Sequence, residues 1–167
     1  MKNIYHSDIY KFGNPVISYW EDNSSENLNL EKLSSDINSE IVVIGGGYTG
    51  LLCAINLIKN HNLDVILVEA GKIGWGASSR NAGFNCLPPS KMSFKKMQSM
   101  FGKEETKKFF QNSVEGSNYT KDIIKEYNID CDVTGDNNFV VAHHKNKFDQ
   151  IKKQAEIYKS EFGIETK

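Results

Sequence analysis

The sequence predicts an α/β fold with parallel strands, on three observations. EIVVIG at 40–45 and DVILVEA at 64–70 are short, β-branched apolar runs, the pattern of strands buried on both faces. Between them YTGLLCAINLIKN, 48–60, sets Leu51, Leu52, Ile55 and Ile58 at helical spacing. A glycine-rich turn, GGGYTG, joins the first strand to the helix. Strand, helix and strand in that order make a βαβ unit, and the right-handed crossover rule sets the two strands parallel. The expected architecture is a Rossmann-like βαβ core over 40–84, followed by the beginning of an α+β region.

Each remaining element has its own signal. Residues 1–39 read as an aromatic arm and a polar connection. Tyr5, Tyr10, Phe12, Tyr19 and Trp20 surround the turn signal Gly13-Asn14-Pro15, and 21–39 is rich in serine and asparagine. The arm is expected to pack on something. After the core, Pro88-Pro89-Ser90 interrupts regular structure, and the Ser90/Ser93 region can cap a short helix, SFKKMQSMF. A longer helix is expected from about 103 to 128, weakened in its middle by Gly116. IDCDV and NNFVVAHH read as two short strands around the turn at 134–137. The final helix carries one apolar stripe, Phe148, Ile151, Ala155, Tyr158 and Phe162, and stops at Gly163. The segment 85–167 is thus expected to open a second region that the sequence does not complete.

Composition excludes several classes. The chain has 167 residues, a net charge of −1 and interspersed lysines and acids, so no basic face calls for nucleic acid or a membrane surface. No apolar run has the length of a signal peptide or a spanning helix, and a cytoplasmic protein is expected. Cys53, Cys86 and Cys131 lie far apart and are odd in number, which argues for reduced thiols and against a disulfide framework or a metal site. Cys53 falls in the apolar helix and reads as a small core residue.

The chemistry gathers at the glycine turn. Gly45, Gly47 and Gly50 form G-x-G-x-x-G directly after a strand and at the opening of a helix. In that context the first glycine permits the turn, the second admits a pyrophosphate, and the third allows close helix–strand packing. Phosphates then meet the unpaired N–H groups and positive dipole end of the helix. Glu69 ends the second strand 19 positions after Gly50, where a carboxylate can accept hydrogen bonds from ribose hydroxyls and disfavours a 2′-phosphate. The unit alone serves FAD and NAD equally, since both carry ADP.

IGWGASSRNAGF, 73–84, separates the two readings. It begins four residues after Glu69, at the carboxyl end of the second strand, where open α/β sheets bind ligands. A ligand lying there needs small side chains, backbone N–H donors and a cation, and Gly74, Gly76, Ala77, Ser78, Gly83 and Arg80 supply them.

GGGYTG, VEA and above all GWGASSRN together resemble the amino-terminal half of the FAD-dependent amine and amino-acid oxidoreductases, the group of D-amino-acid oxidase, glycine oxidase and sarcosine oxidase. Ser18-Tyr19-Trp20 with the IGWGAS-type loop looks closest to the γ-glutamylputrescine oxidase branch. The resemblance runs from about residue 16 to the end and is most specific over 41–83. It implies that Gly45, Gly47, Thr49 and Gly50 hold the FAD pyrophosphate, that Glu69 holds the ribose, and that Gly76, Ala77, Ser78, Arg80, Asn81 and Gly83 line the path to the flavin. The loop in such proteins more often reads GASGRNGGQ; here Ser79, Ala82 and Phe84 stand in place of glycine, glycine and glutamine. The implied reaction is oxidation of the C–N bond of a small-molecule amine or amino acid by hydride transfer to FAD. The resemblance also implies a length well over twice this one, with substrate-side residues in the carboxyl half. No catalytic residue is therefore assigned. The sequence reads as the FAD-binding part of such an oxidoreductase, with two alternatives: an inactive truncated remnant, or one half of a split enzyme whose partner is a separately encoded carboxyl-terminal half. An NAD-dependent dehydrogenase is the rival class.

Other chemistry-bearing residues read as ordinary. His143 and His144 are adjacent on an expected strand and point to opposite faces, while His6 and His61 are isolated. Trp75 reads equally as a stacking platform or as the loop's own anchor, and Lys72 as an exposed turn lysine. The lysines of 91–108 read as a solvated helix face.

Overall fold

The computed structural model describes residues 4–13, 17–24, 28–87, 92–135 and 137–166, and the chain divides into two units, Met1–Gly83 and Phe84–Lys167. The expected turn residues Asn14, Pro15 and Asp136, and the Pro88-Pro89-Ser90 interruption, lie outside the described residues.

The first unit is built on strand β1 (Ile41–Ile44) and strand β2 (Val65–Val68), paired in parallel with Ile41 opposite Val65 and Ile44 opposite Val68. A short helix α1 (Tyr19–Asn23) precedes them, and helix α2 (Tyr48–His61) crosses between them. The strands begin in register because Glu40 Oε2 accepts from Asp64 N at 2.8 Å and Ser39 Oγ donates to Asp64 O at 2.8 Å. Helix α2 ends where Asn62 adopts φ 52°. There the Asn62 and Leu63 N–H groups return to Ile58 O and Leu57 O, the C-terminal closure that favours asparagine or glycine.

Two details differ from the sequence reading. Strand β1 is covered on one face only among the described residues: Val43 sits beneath α2 near Gly50, while Val42 and Ile44 are 57% and 85% exposed. An apolar run reports the burial a strand can support, and β1 receives it on one side, whereas all four residues of β2 are half-buried. Cys53 is exposed rather than in the core, because the helical period turns Ala54 onto the sheet instead, at 8% exposure.

Among its described residues the second unit contains three α-helices, α3 (Phe94–Phe101), α4 (Lys103–Glu126) and α5 (Phe148–Phe162). Ser93 caps α3, its Oγ accepting from Lys96 N at 3.3 Å. Gly102, at φ 83°, both ends α3 and caps α4. The core joins Phe94, Met97 and Phe110 to Tyr158 and Phe162 of α5. Phe110 meets Phe94 edge-on and stacks on Phe162, each at 5.2 Å between centroids, arrangements aromatic pairs favour. Helix α4 passes through Gly116 without a break, and α5 stops at Gly163, φ 64°. Desolvation pushes the Tyr158 phenol above its ordinary value, opposed by a hydrogen bond with Gln154.

The two strands expected at 129–133 and 137–144 are not formed among the described residues. Asp132 adopts φ 48°, a left-handed conformation that breaks the extended run. Phe139, Val140 and Val141 are 88%, 62% and 73% exposed. Strand propensity is realised through cross-strand neighbours, and these residues have no ladder partner in the described structure. His144 instead leads a short 3₁₀ turn, Lys145–Lys147, into α5.

Phe110 is 2% exposed at the centre of the helical core. Phe110→Ala is expected to cost about 3–5 kcal/mol, read as a lower urea midpoint for the helical circular-dichroism signal.

Candidate functional site

Strand β1 runs into the glycine turn with Gly45 at φ 107°, a conformation open to glycine and strained for other residues. Gly45 N donates to Val68 O at 2.8 Å, so the turn begins while the sheet still holds it. Gly47 then caps α2 without a side-chain acceptor. One turn into the helix, a Cβ placed on Gly50 would collide with the Gly45 carbonyl oxygen. That close approach is the packing role the motif assigns to its third glycine.

The first turn of α2 directs its N–H groups outward, since no intrahelical carbonyl precedes them. One is engaged, Tyr48 N donating to Ser78 Oγ at 3.0 Å. The others border an open depression of about 390 Å³, walled by Val43, Ile44, Gly45, Gly47, Tyr48, Thr49, Gly50, Cys53 and Ser78. Donors and the positive helix end on one wall and apolar strand side chains on the other suit an anionic group attached to a flat apolar one.

Glu69 stands at the end of β2. Its Oε2 accepts from Gly46 N at 2.6 Å and its Oε1 from Gly71 N at 2.8 Å. Both are charge-assisted bonds, and they tie the glycine turn to the chain leaving β2. A carboxylate offers about four lone-pair positions, so two acceptor positions remain for hydroxyl donors. The turn and the following loop are joined again by Gly74 N donating to Gly46 O at 2.9 Å.

The loop's small residues divide into two groups. Ser78 reaches the depression, and a Cβ on Gly47 would lie 2.8 Å from its Oγ. The rest hold the loop to itself. Gly76 precedes the 3₁₀ turn Ala77–Ser79, and Arg80 follows it. Arg80 folds back, with its Nε donating to Trp75 O at 2.9 Å, its Nη2 donating to the same oxygen, and its guanidinium carbon 4.3 Å from the Trp75 ring centre. Asn81 Nδ2 donates to Ala77 O and Ser78 O at 3.1 and 3.0 Å, and its Oδ1 accepts from Gly83 N at 2.7 Å.

Of the residues singled out from sequence, the structure thus brings Gly45, Gly47, Thr49, Gly50 and Ser78 together, with Glu69 one hydrogen bond behind them. Gly76, Ala77, Arg80, Asn81 and Gly83 are outside the depression's lining. Trp75 is the loop's anchor, edge-on to Phe12 at 5.1 Å. Lys72 is paired with Glu21 at 3.0 Å. Sequence reading left out Gly46, whose N–H and C=O both bind the far side of the site, and named Trp20 in the arm without giving it a place at the loop, where its Nε1 donates to Asn81 O at 2.7 Å. The aromatic density of the arm and the Ser18-Tyr19-Trp20 resemblance were the signals for Trp20. Among the described residues no group of three or more His, Cys, Asp or Glu is placed to hold a metal, and no helix is long and apolar enough to cross a membrane.

A parallel βαβ unit with this turn, acid and loop defines a dinucleotide-binding protein. Comparison with known families sharpens the class: residues 40–167 match the model of the DAO family, described as FAD dependent oxidoreductase, and the chain belongs to that family. The family is FAD-dependent. Among curated proteins, the chain is 30% identical over 128 residues to Gamma-glutamylputrescine oxidoreductase of Escherichia coli (strain K12), covering 77% of this chain and 30% of that one. It is 25% identical over 150 residues to "Probable oxidoreductase OrdL" of Haemophilus influenzae, covering 90% of this chain and 34% of the relative. A shorter match, 42% over 62 residues, is to "Probable glycerol-3-phosphate dehydrogenase" of Encephalitozoon cuniculi, covering 37% of this chain and 10% of that one. The chain spans about a third of the length of the first two relatives. No solved structure gives a significant match.

Gly50→Ala tests the turn directly. The added methyl meets a backbone oxygen that cannot rotate away, so the expected loss is about 1–3 kcal/mol of stability for the first unit. Exchange protection of the β1 and β2 amides would report it.

Proposed function

We propose that this chain is the FAD-binding part of an oxidoreductase that oxidises the C–N bond of a small-molecule amine or amino acid. The observation that carries the reading is the depression walled by Gly45, Gly47, Tyr48, Thr49, Gly50 and Ser78 at the carboxyl end of β1, beside its parallel partner β2. Its backbone donors suit a pyrophosphate, its glycines leave room for one, and Glu69 retains acceptor capacity for a ribose. Gly45, Gly47, Thr49 and Gly50 would hold the pyrophosphate and Glu69 the ribose. Ser78 would meet the cofactor from the loop, while Gly76, Ala77, Arg80, Asn81 and Gly83 would shape the loop that leads toward the flavin. Arg80 serves here by closing the loop on Trp75.

Bound FAD supplies the two-electron acceptor, and the protein supplies position and electrostatics. The chain's own contribution is to fix one end of the cofactor against a rigid helix terminus. The choice of an amine or amino acid draws on the sequence resemblance and on the E. coli relative named for γ-glutamylputrescine. As the chain covers a minority of that relative, the substrate and turnover are properties proposed for the whole protein, whether its carboxyl-terminal half is continuous or separately encoded. A cytoplasmic location is part of the same reading, supported by three unpaired thiols.

Equilibrium dialysis of the chain against FAD and NAD tests the proposal. FAD is expected to bind in the micromolar range, with NAD at least about tenfold weaker, a difference of roughly 1.4 kcal/mol. Gly47→Leu is expected to abolish FAD binding without unfolding the chain. Preference for NAD, or a Gly47→Leu protein that binds FAD normally, would overturn the reading.

A further inference from the structure

The loop 72–83 has a physical difficulty. It is made of small and polar residues, and fixing a backbone costs about 1–2 kcal/mol per residue. Such a loop cannot bury enough of its own apolar surface to settle in one conformation. Its internal bonds through Asn81 and Arg80 shape it locally and leave open how it is pressed onto the unit that carries the glycine turn.

The aromatic arm supplies that pressure at both ends of the loop. At the start, Glu21 Oε1 meets Lys72 Nζ at 3.0 Å, and the Phe12 ring lies edge-on to Trp75 at 5.1 Å. At the end, Trp20 Nε1 donates to Asn81 O at 2.7 Å. The indole also lies flush against the backbone of Gly83, where an added Cβ would come within 2.6 Å of Trp20 Cζ2. Gly83 is at φ 72°, so the loop leaves the indole in a conformation that a larger residue would resist. Trp20 itself is held in a capped turn of helix, with Ser18 Oγ accepting from Glu21 N at 3.1 Å.

A chain of contacts leads from Trp20 to the site. Trp20 fixes the Asn81 backbone, the Asn81 side chain holds the Ala77 and Ser78 carbonyls, and Ser78 Oγ receives the Tyr48 N–H at the mouth of the depression. We infer that Trp20 is a positioning residue, setting through Asn81 the place at which Ser78 faces the bound dinucleotide. The inference rests on the FAD reading for its ligand and on the contacts alone for the placement of the loop. Preorganising the loop removes an ordering cost from binding, so the effect of losing Trp20 falls on affinity.

Two variants of the full 167-residue chain, Trp20→Ala and Trp20→Phe, test it with two readouts. Hydrogen exchange of the amides at 77–83 reports the loop without any ligand. Trp20→Ala should speed exchange there by about tenfold, the size of one net hydrogen bond, while β1 and α2 keep their protection. FAD affinity should fall by a similar factor and the quenching of flavin fluorescence should weaken. Trp20→Phe, which keeps a ring against Gly83, should restore part of both. Unchanged loop exchange in Trp20→Ala overturns the inference, as does acceleration shared equally by β1 and α2, which would mark general loosening. If the unaltered chain binds no FAD, the functional reading fails by itself. The exchange data then still decide whether Trp20 places the loop.

Discussion

The first unit depends on one contact: the backbone of α2 at Gly50 lying directly against the carbonyl oxygen of Gly45. Helix and strand can approach that closely only where no side chain intervenes. With the approach made, the first turn of α2 ends above the carboxyl end of β1 and its unpaired N–H groups face outward. Everything proposed for the site follows from where those donors point. A residue with any side chain at position 50 would push the helix off the strand and swing the donors away.

Around that contact the molecule adds ties that would be surprising in a simple surface loop. Glu69 bridges the turn and the chain leaving β2 with two charge-assisted bonds. Gly46 receives the loop through Gly74. Ser78 then returns to the helix terminus. The residues of 73–83 therefore do different work: Ser78 faces the depression, whereas Arg80 and Asn81 spend their hydrogen-bonding groups on the loop's own backbone. Preorganised donors cost little rearrangement when an anion arrives, which is the condition under which a helix terminus binds one well.

Much of this was legible in the amino-acid sequence because it is written in local chemistry. β-branched runs, a 3.6-residue stripe and glycines at fixed offsets report β1, α2 and β2 directly, and the Gly45/Gly47/Gly50 spacing with Glu69 located the depression. The unread parts depend on distant neighbours. IDCDV and NNFVVAHH have strand composition but stay irregular here, since strand formation needs a partner that composition cannot name. Cys53 and Ala54 are adjacent and similar in size, and only the docking angle of α2 decides which is buried. Arg80 carries the charge expected of a phosphate ligand, yet its turn of backbone aims it at Trp75. Trp20 lies 61 positions from Asn81, a pairing no local pattern encodes.

The proposed dinucleotide site lies across the α2 terminus beneath Ser78. A nuclear magnetic resonance titration of the ¹⁵N-labelled chain with FAD addresses it most directly, residue by residue. The amide signals of Gly47, Tyr48, Thr49 and Ser78 should move together with a single saturation curve, while those of α3 to α5 stay in place. Shifts confined to the helices of the second unit, or a saturable FAD interaction that leaves Gly47 to Thr49 unmoved, would contradict it.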